Sequence, residues 1–202
     1  MNIKLGISNG VKRSMDIVLV LLGFIVALPL MGIVALVIKI NSSGSVLYVS
    51  ERIGRGGKPF LIYKFRTMVI NADKMGGPST AADDPRLTKI GLLLKKYQLD
   101  ELPQLFNVLK GDMSVIGPRP HRVFLDNELI NSVYNYRIRQ CVKPGITGWA
   151  QVNGFRGPTD TPERKDGRVD HDLYYIQNWS LWLDIKIIFL TIFGKKSRKN
   201  AF

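Results

Sequence analysis

At 202 residues the chain has room for one sizeable domain whose core needs no cross-links. Its 46% hydrophobic content sits beside a formal net charge of +13, a field that selects polyanionic partners: anionic lipid headgroups, phosphorylated substrates or nucleic acid. The single cysteine, Cys141, excludes an intramolecular disulfide and a cysteine-rich metal site, and His121 and His171 supply a histidine metal site or a Ser-His triad poorly, so chemistry has to rest on carboxylates, lysines and arginines.

Residues 17–38 form an uncharged apolar run of about 22 residues, long enough to cross a bilayer as one helix and too long for a signal-peptide core. Lys12 and Arg13 precede it, while Lys39, Arg52, Arg55 and Lys58 follow, so positive charge gives no orientation and both ends can sit in the cytoplasm. Pro29 removes a backbone bond in mid-run. A plain span and a helix broken at Pro29 that returns to its own face both stay open; the charge tie and the proline point to the second.

Residues 46–53 and 60–67 read as strands joined by Gly54-Arg55-Gly56-Gly57, a hairpin signal. Gly57-Lys58 is followed by Pro59 where a phosphate-binding loop needs Ser or Thr, which excludes that motif. Residues 72–86 read as a flexible surface loop. Thr88 starts an amphipathic helix with apolar positions Ile90, Leu93, Leu94 and Tyr97. Leu99, Leu102, Leu105, Phe106 and Leu109 repeat at helical spacing, so Asp100-Glu101 is expected to open a second helix with Pro103 in its first turn. Gly117-Pro118-Arg119-Pro120 breaks the pattern, and Pro144-Gly145 begins a turn-rich stretch reaching Gly157-Pro158. The segment 174–193 carries Tyr174, Tyr175, Trp179 and Trp182, interrupted by Asp184 and Lys186; it suits an interfacial helix or a buried core helix. Together these elements predict an α+β, mainly helical fold with a membrane-anchoring segment at 1–42, a single folded domain at 43–194 and a basic tail at 195–202 suited to solvent or anionic lipid.

Two carboxylates at a helix start ordinarily just complement the helix dipole. Here Lys64, Arg66, Lys95, Lys96 and Arg119 are all candidates to face Asp100-Glu101, and the chain offers few other catalytic groups. A carboxylate can attack phosphorus when cations and a metal offset the charge repulsion, and a hard Mg²⁺ on one or two carboxylates plus substrate phosphates is the usual arrangement for a diphosphate. Neighbouring side chains on a helix diverge by about 100°, so one carboxylate can attack while the other holds metal.

Three blocks carry a family resemblance: Asp100-Glu101-Leu102-Pro103-Gln104-Leu105, Gly111-Asp112-Met113-Ser114-Val115-Ile116-Gly117-Pro118-Arg119-Pro120, and Lys143-Pro144-Gly145-Ile146-Thr147-Gly148-Trp149-Ala150-Gln151-Val152-Asn153-Gly154. With Tyr63-Lys64-Phe65-Arg66-Thr67-Met68 before them and Leu183-Asp184-Ile185-Lys186 after, they come in the order of the bacterial sugar transferases, the monotopic phosphoglycosyl transferases, which the chain resembles from Lys12 to about Gly194. The resemblance covers the family's catalytic module. It implies a two-step transfer: Asp100 attacks the β-phosphorus of a UDP-sugar and releases UMP, and a polyprenyl phosphate then takes the sugar phosphate from the aspartate. It further implies Mg²⁺ on Glu101 beside Asp100, an active site lined by Lys64, Arg119 and Asp184, and a re-entrant helix broken at Pro29. Lys95 stands where the family usually has arginine, which keeps the charge and loses the bidentate fork, and Leu28 precedes Pro29 where many members have serine.

Gly154-Phe155-Arg156-Gly157-Pro158-Thr159-Asp160-Thr161 resembles the branch acting on UDP-glucose or UDP-galactose in exopolysaccharide initiation, with N-acetylated sugars used by close relatives. The implied partners are UDP-sugar, polyprenyl phosphate and inner-membrane lipids on the cytoplasmic face; a homo-oligomer stays open. A basic nucleic-acid-binding module leaves the acidic pair without a role, so no nucleic-acid partner is expected.

Overall fold

The computed structural model describes residues 8–75, 84–157 and 161–194, so most of the expected 72–86 loop, residues 158–160 and the basic tail lie outside the described residues. Helix α1 (Ser8–Asn41) is followed by the antiparallel hairpin β1 (Leu47–Ile53) and β2 (Pro59–Phe65). Next come α2 (Lys89–Lys96), a 3₁₀ turn at Leu99–Glu101 and α3 (Gln104–Lys110). Strand β3 (Ser114–Ile116) pairs in parallel with β4 (Gly145–Thr147), with α4 (Val123–Ser132) between them in sequence. The chain closes with α5 (Trp149–Val152), α6 (Pro162–Gln177) and α7 (Leu181–Phe193). The mainly helical α+β expectation holds, and so does the hairpin.

Helix α1 is roughly 50 Å long at 1.5 Å per residue. The break expected at Pro29 is not a break in the helix, because α1 passes through that residue as one element. A proline removes its own bond to the preceding turn and crowds it, which bends a helix without having to end it. Val20, Ala27, Met31, Val34 and Ile38 recur on one face and are buried. Leu21, Leu22, Ile25, Val26, Ile33, Leu36 and Ile40 are exposed.

Both ends of α1 are tied to the same domain. At the start, Arg13 donates to the carbonyls of Val108 (2.5 Å) and Leu109 (2.7 Å), capping the open end of α3. Asp16 accepts from the Ser114 hydroxyl and the Val115 amide, each at 2.9 Å. At the far end, Arg66 donates to the Ser43 carbonyl at 2.6 Å and to the Ser42 hydroxyl at 2.6 Å.

Helix α2 is capped as its sequence predicts, with the Thr88 hydroxyl accepting from the Gly91 amide at 2.9 Å. Gly91 also lets the helix lie directly on the strand-end backbone: a Cβ there would sit 1.8 Å from the Thr67 carbonyl oxygen. Of the four apolar positions expected to line α2, Leu94 is buried, whereas Leu93 and Tyr97 are open. Helix α7 has two faces: Asp184 and Ile187 are fully buried, while Trp182, Ile185, Phe189, Ile192 and Phe193 are exposed. Ile187 ties it to the core, and its open apolar face suits an interface. Together with the outer face of α1, these side chains give the domain an apolar surface far larger than scattered exposed residues would make.

Candidate active site

Asp100-Glu101 does not open a regular helix. Leu99–Glu101 is a single 3₁₀ turn, and Leu102-Pro103 separates it from α3. Gln98 enters the turn with φ 59°, and Pro103, which has no amide hydrogen, sits as the cap of α3, so the helical repeat is interrupted where the carboxylates lie. Three residues per turn still send the two side chains about 120° apart.

The turn is fixed against the hairpin through α3. Asn107 donates to the Leu61 carbonyl at 2.6 Å and accepts from the Tyr63 amide at 3.0 Å, filling the edge of β2 as a third strand would. That holds Lys64, the next residue, over the turn, and its ammonium donates to Glu101 Oε1 at 2.8 Å. Arg119 reaches the same carboxylate from the loop after β3, with Nη2 at 2.6 Å from Oε1 and Nη1 at 3.3 Å from Oε2. Arg156, on the loop after α5, places Nη2 at 3.3 Å from Oε2 and Nη1 at 2.7 Å from the Gln98 side-chain oxygen. Burial alone would raise the Glu101 pKa, but Arg119, Lys64 and Arg156 outweigh it and hold the carboxyl well below its ordinary value.

Asp100 has the opposite environment. It is 8% exposed, and its carboxylate takes no hydrogen bond among the described residues. Burial pushes its pKa up; Lys64 pulls it down, Glu101 raises it, and Lys95 and Arg119 lower it. Lys95 is brought to the site as expected: its own pKa falls to about 8 through burial, opposed first by Asp100.

The position of Arg119 is set from behind. Gly117 and Gly145 let two backbones touch, for a Cβ on Gly145 would lie 2.0 Å from the Gly117 nitrogen. The Arg119 carbonyl accepts from Arg139 Nη2 at 2.8 Å, and Arg139 pairs with Asp172 at 2.7 Å and donates to the Tyr136 hydroxyl at 2.9 Å. Tyr136 gives its proton to Asp126 at 2.6 Å, and the His121 ring sits among these groups, with Nδ1 2.7 Å from the Tyr136 hydroxyl and 3.3 Å from Arg139 Nη1, and Nε2 3.3 Å from Arg168 Nη1. Deep burial, then the charges of Arg139 and Arg168, hold the His121 pKa well below its ordinary value, which favours the neutral ring. Asp172 therefore supports the site through Arg139 rather than lying on the surface.

Two expected site residues belong elsewhere. Asp184, expected to line the active site, is clamped by Lys12 (2.8 Å), Tyr175 (2.8 Å) and Trp179 (3.1 Å) and fastens α1 to α7. Arg66 faces the end of α1 instead of the acidic pair. The sequence signals Arg156 only as a lone arginine in the glycine-flanked Gly154-Phe155-Arg156-Gly157 loop, and nothing in it marks Gln98.

The bacterial sugar transferase profile matches residues 7–196. The chain belongs to this family. Among its relatives, the UDP-glucose:undecaprenyl-phosphate glucose-1-phosphate transferase of Escherichia coli K12 is 46% identical over 198 residues, 98% of this chain and 42% of that protein. The UDP-N-acetylgalactosamine-undecaprenyl-phosphate N-acetylgalactosaminephosphotransferase of Aeromonas hydrophila is 45% identical over 90% of this chain and 43% of its own length. The chain thus spans about two fifths of these family members, yet it covers 98% of the exopolysaccharide production protein PSS of Rhizobium leguminosarum, at 42% identity.

Hard oxygen donors of the kind Mg²⁺ takes are present in Asp100, which is free of hydrogen bonds among the described residues, and in Glu101 Oε2, whose two contacts are both 3.3 Å. Among the described residues no group of three or more metal-ligating side chains occurs, so donors from outside the protein would have to complete the set.

The contrast between the two carboxylates can be measured. In protein labelled with ¹³C at the aspartate carboxyl, with Asp100→Asn for assignment, the Asp100 signal should titrate above the ordinary value of 3.8. In Lys64→Met it should titrate higher still, since that ammonium lowers it. A midpoint at or below 3.8 would contradict the burial account.

Proposed function

We propose that the chain transfers a sugar-1-phosphate, a hexose-1-phosphate by the resemblance of the 154–161 stretch, from a UDP-sugar to polyprenyl phosphate through a covalent aspartyl intermediate. The observation that carries this is the division of labour between adjacent carboxylates: Glu101 is bound by three cations, while Asp100 is buried, unbonded among the described residues and close to the same charges. A carboxylate held this way keeps its lone pairs for phosphorus.

In the first step an Asp100 oxygen forms a bond to the β-phosphorus, the bond from that phosphorus to the bridging oxygen breaks, and UMP leaves with the electron pair. In the second, a phosphate oxygen of the polyprenyl acceptor bonds to the same phosphorus and the bond to Asp100 breaks, restoring the carboxylate. Lys64, Arg119 and Arg156, gathered on Glu101, would offset the charge that develops on the phosphoryl oxygens, and Lys95 would offset the charge of Asp100. Mg²⁺, held by Asp100 and by Glu101 Oε2 with substrate phosphates, would supply further charge neutralisation. The sequence relatives named for undecaprenyl-phosphate sugar-1-phosphate transfer support the substrate pair. Labelled UDP-sugar with polyprenyl phosphate and Mg²⁺ should give organic-soluble label, and chelator or Asp100→Asn should abolish it. Near-normal transfer by the variant would refute Asp100 as nucleophile, and full activity in EDTA would refute the metal.

We also propose that α1 enters and leaves the inner membrane on its cytoplasmic face. It is apolar and long enough to cross a bilayer, but Arg13, Asp16 and Ser42 all bind the domain that carries Asp100. Opposite ends of a plain span could not both reach one domain outside the bilayer. Cysteines at Asn2 and Ser43, in a Cys141→Ser background, should both resist an impermeant thiol reagent in intact cells and react once the membrane is opened. Labelling of the Asn2 position alone in intact cells would establish a span.

A further inference from the structure

A further arginine, Arg52, is buried beside the site without a hydrogen-bond partner for its side chain among the described residues. In the β1–β2 ladder Tyr48 pairs with Lys64, Ser50 with Ile62 and Arg52 with Phe60, and directly paired residues share a face. Arg52 therefore lies on the hairpin face whose Lys64 meets Glu101, four residues or about 13 Å further along the strand. It is 8% exposed, its guanidinium makes no hydrogen bond among the described residues, and Nη1 is sealed from solvent without a partner. Ser50, between the two rows, likewise buries its hydroxyl unpartnered.

Burial and then the like charges of Arg122 and Arg119 lower the Arg52 pKa to about 10, with Glu101 a weaker opposing influence. A desolvated cation without a counter-charge is costly. Here it is held beside two more arginines: its backbone bridges that of Arg122, and Arg119, three residues before Arg122, is already bonded to Glu101. Such a cluster is stabilised when an anion enters it, and a guanidinium fork matches phosphate oxygens.

We propose that Arg52, with Arg119 and Arg122, forms a phosphate-binding subsite contiguous with the Asp100–Glu101 centre, holding a substrate phosphate other than the one under attack. The inference rests on the transferase reading above. The chemistry is that of one phosphate group, supplied either by the nucleotide side of the UDP-sugar or by the polyprenyl phosphate.

The full chain in lipid nanodiscs tests it by thermal unfolding with inorganic phosphate, UMP or polyprenyl phosphate, alongside steady-state KM values. Arg52→Met should raise the ligand-free Tm, because an uncompensated buried charge is gone. It should also remove the rise in Tm that phosphate gives the wild type, while Arg52→Lys retains part of that rise. Loss of one charge-assisted bond should raise KM roughly tenfold to a hundredfold. A rise confined to UDP-sugar, with the UMP response lost, assigns the subsite to the donor; a rise confined to polyprenyl phosphate assigns it to the acceptor. A lower ligand-free Tm in Arg52→Met with unchanged phosphate responses and unchanged KM values would make Arg52 purely structural and overturn the proposal. If the wild type transfers no sugar phosphate but loses its phosphate response in Arg52→Met, the subsite stands and the transferase reading falls.

Discussion

The buried carboxylate of Glu101 is the point on which the site is assembled. Lys64 comes from the hairpin, Arg119 from the loop after β3 and Arg156 from the loop after α5, and all three converge on its two oxygens. Removing one partner from a buried charged set costs about 3–5 kcal/mol, enough to hold three otherwise separate segments in register. The same clamp explains why adjacent acids differ: cations that are bonded to Glu101 act on Asp100 only through space, so they oppose the burial that raises its pKa without outweighing it, and its lone pairs take no hydrogen bond among the described residues.

Around that centre, buried polar contacts make the apolar helix and the reaction site parts of one body. Arg13 closes the end of α3, whose Asn107 fixes the hairpin, and Lys12 meets Asp184 inside α7. The outward faces of α1 and α7 are largely apolar, while Asp16 of α1 and Asp184 of α7 are buried. A bilayer surface fits that distribution, and it would bring a lipid-borne phosphate to the level at which Asp100 sits.

Local signals were legible in the sequence. The glycine-rich hairpin, the Thr88 cap and the sharp stop at Gly117-Pro118 depend on neighbouring residues, and each forms as read. The acidic pair and the Lys64, Lys95 and Arg119 cations were identified by residue type and family order. Misplaced residues are those whose role depends on a distant partner: Asp184 bonds across 172 positions to Lys12, and Arg66 reaches back to Ser42. Asp184 and Arg66 look like site residues because buried or clustered charge reads alike whether it binds substrate or fastens a helix. Arg156 is illegible in sequence for the converse reason, being a single arginine in a loop until folding carries it across to Glu101. The helical spacing through Asp100 was real, but Pro103 divides it into a 3₁₀ turn and a helix.

Intact-mass analysis of the protein after mixing with UDP-sugar and Mg²⁺ in the absence of polyprenyl phosphate bears most directly on the central claim. The wild type should gain one sugar-phosphoryl group per chain and release one equivalent of UMP, with the adduct mapping to the peptide that contains Asp100. Asp100→Asn should gain none. Release of UMP only when the acceptor is present, with no adduct on the wild type, would contradict a covalent aspartyl step and point to direct transfer between the two substrates.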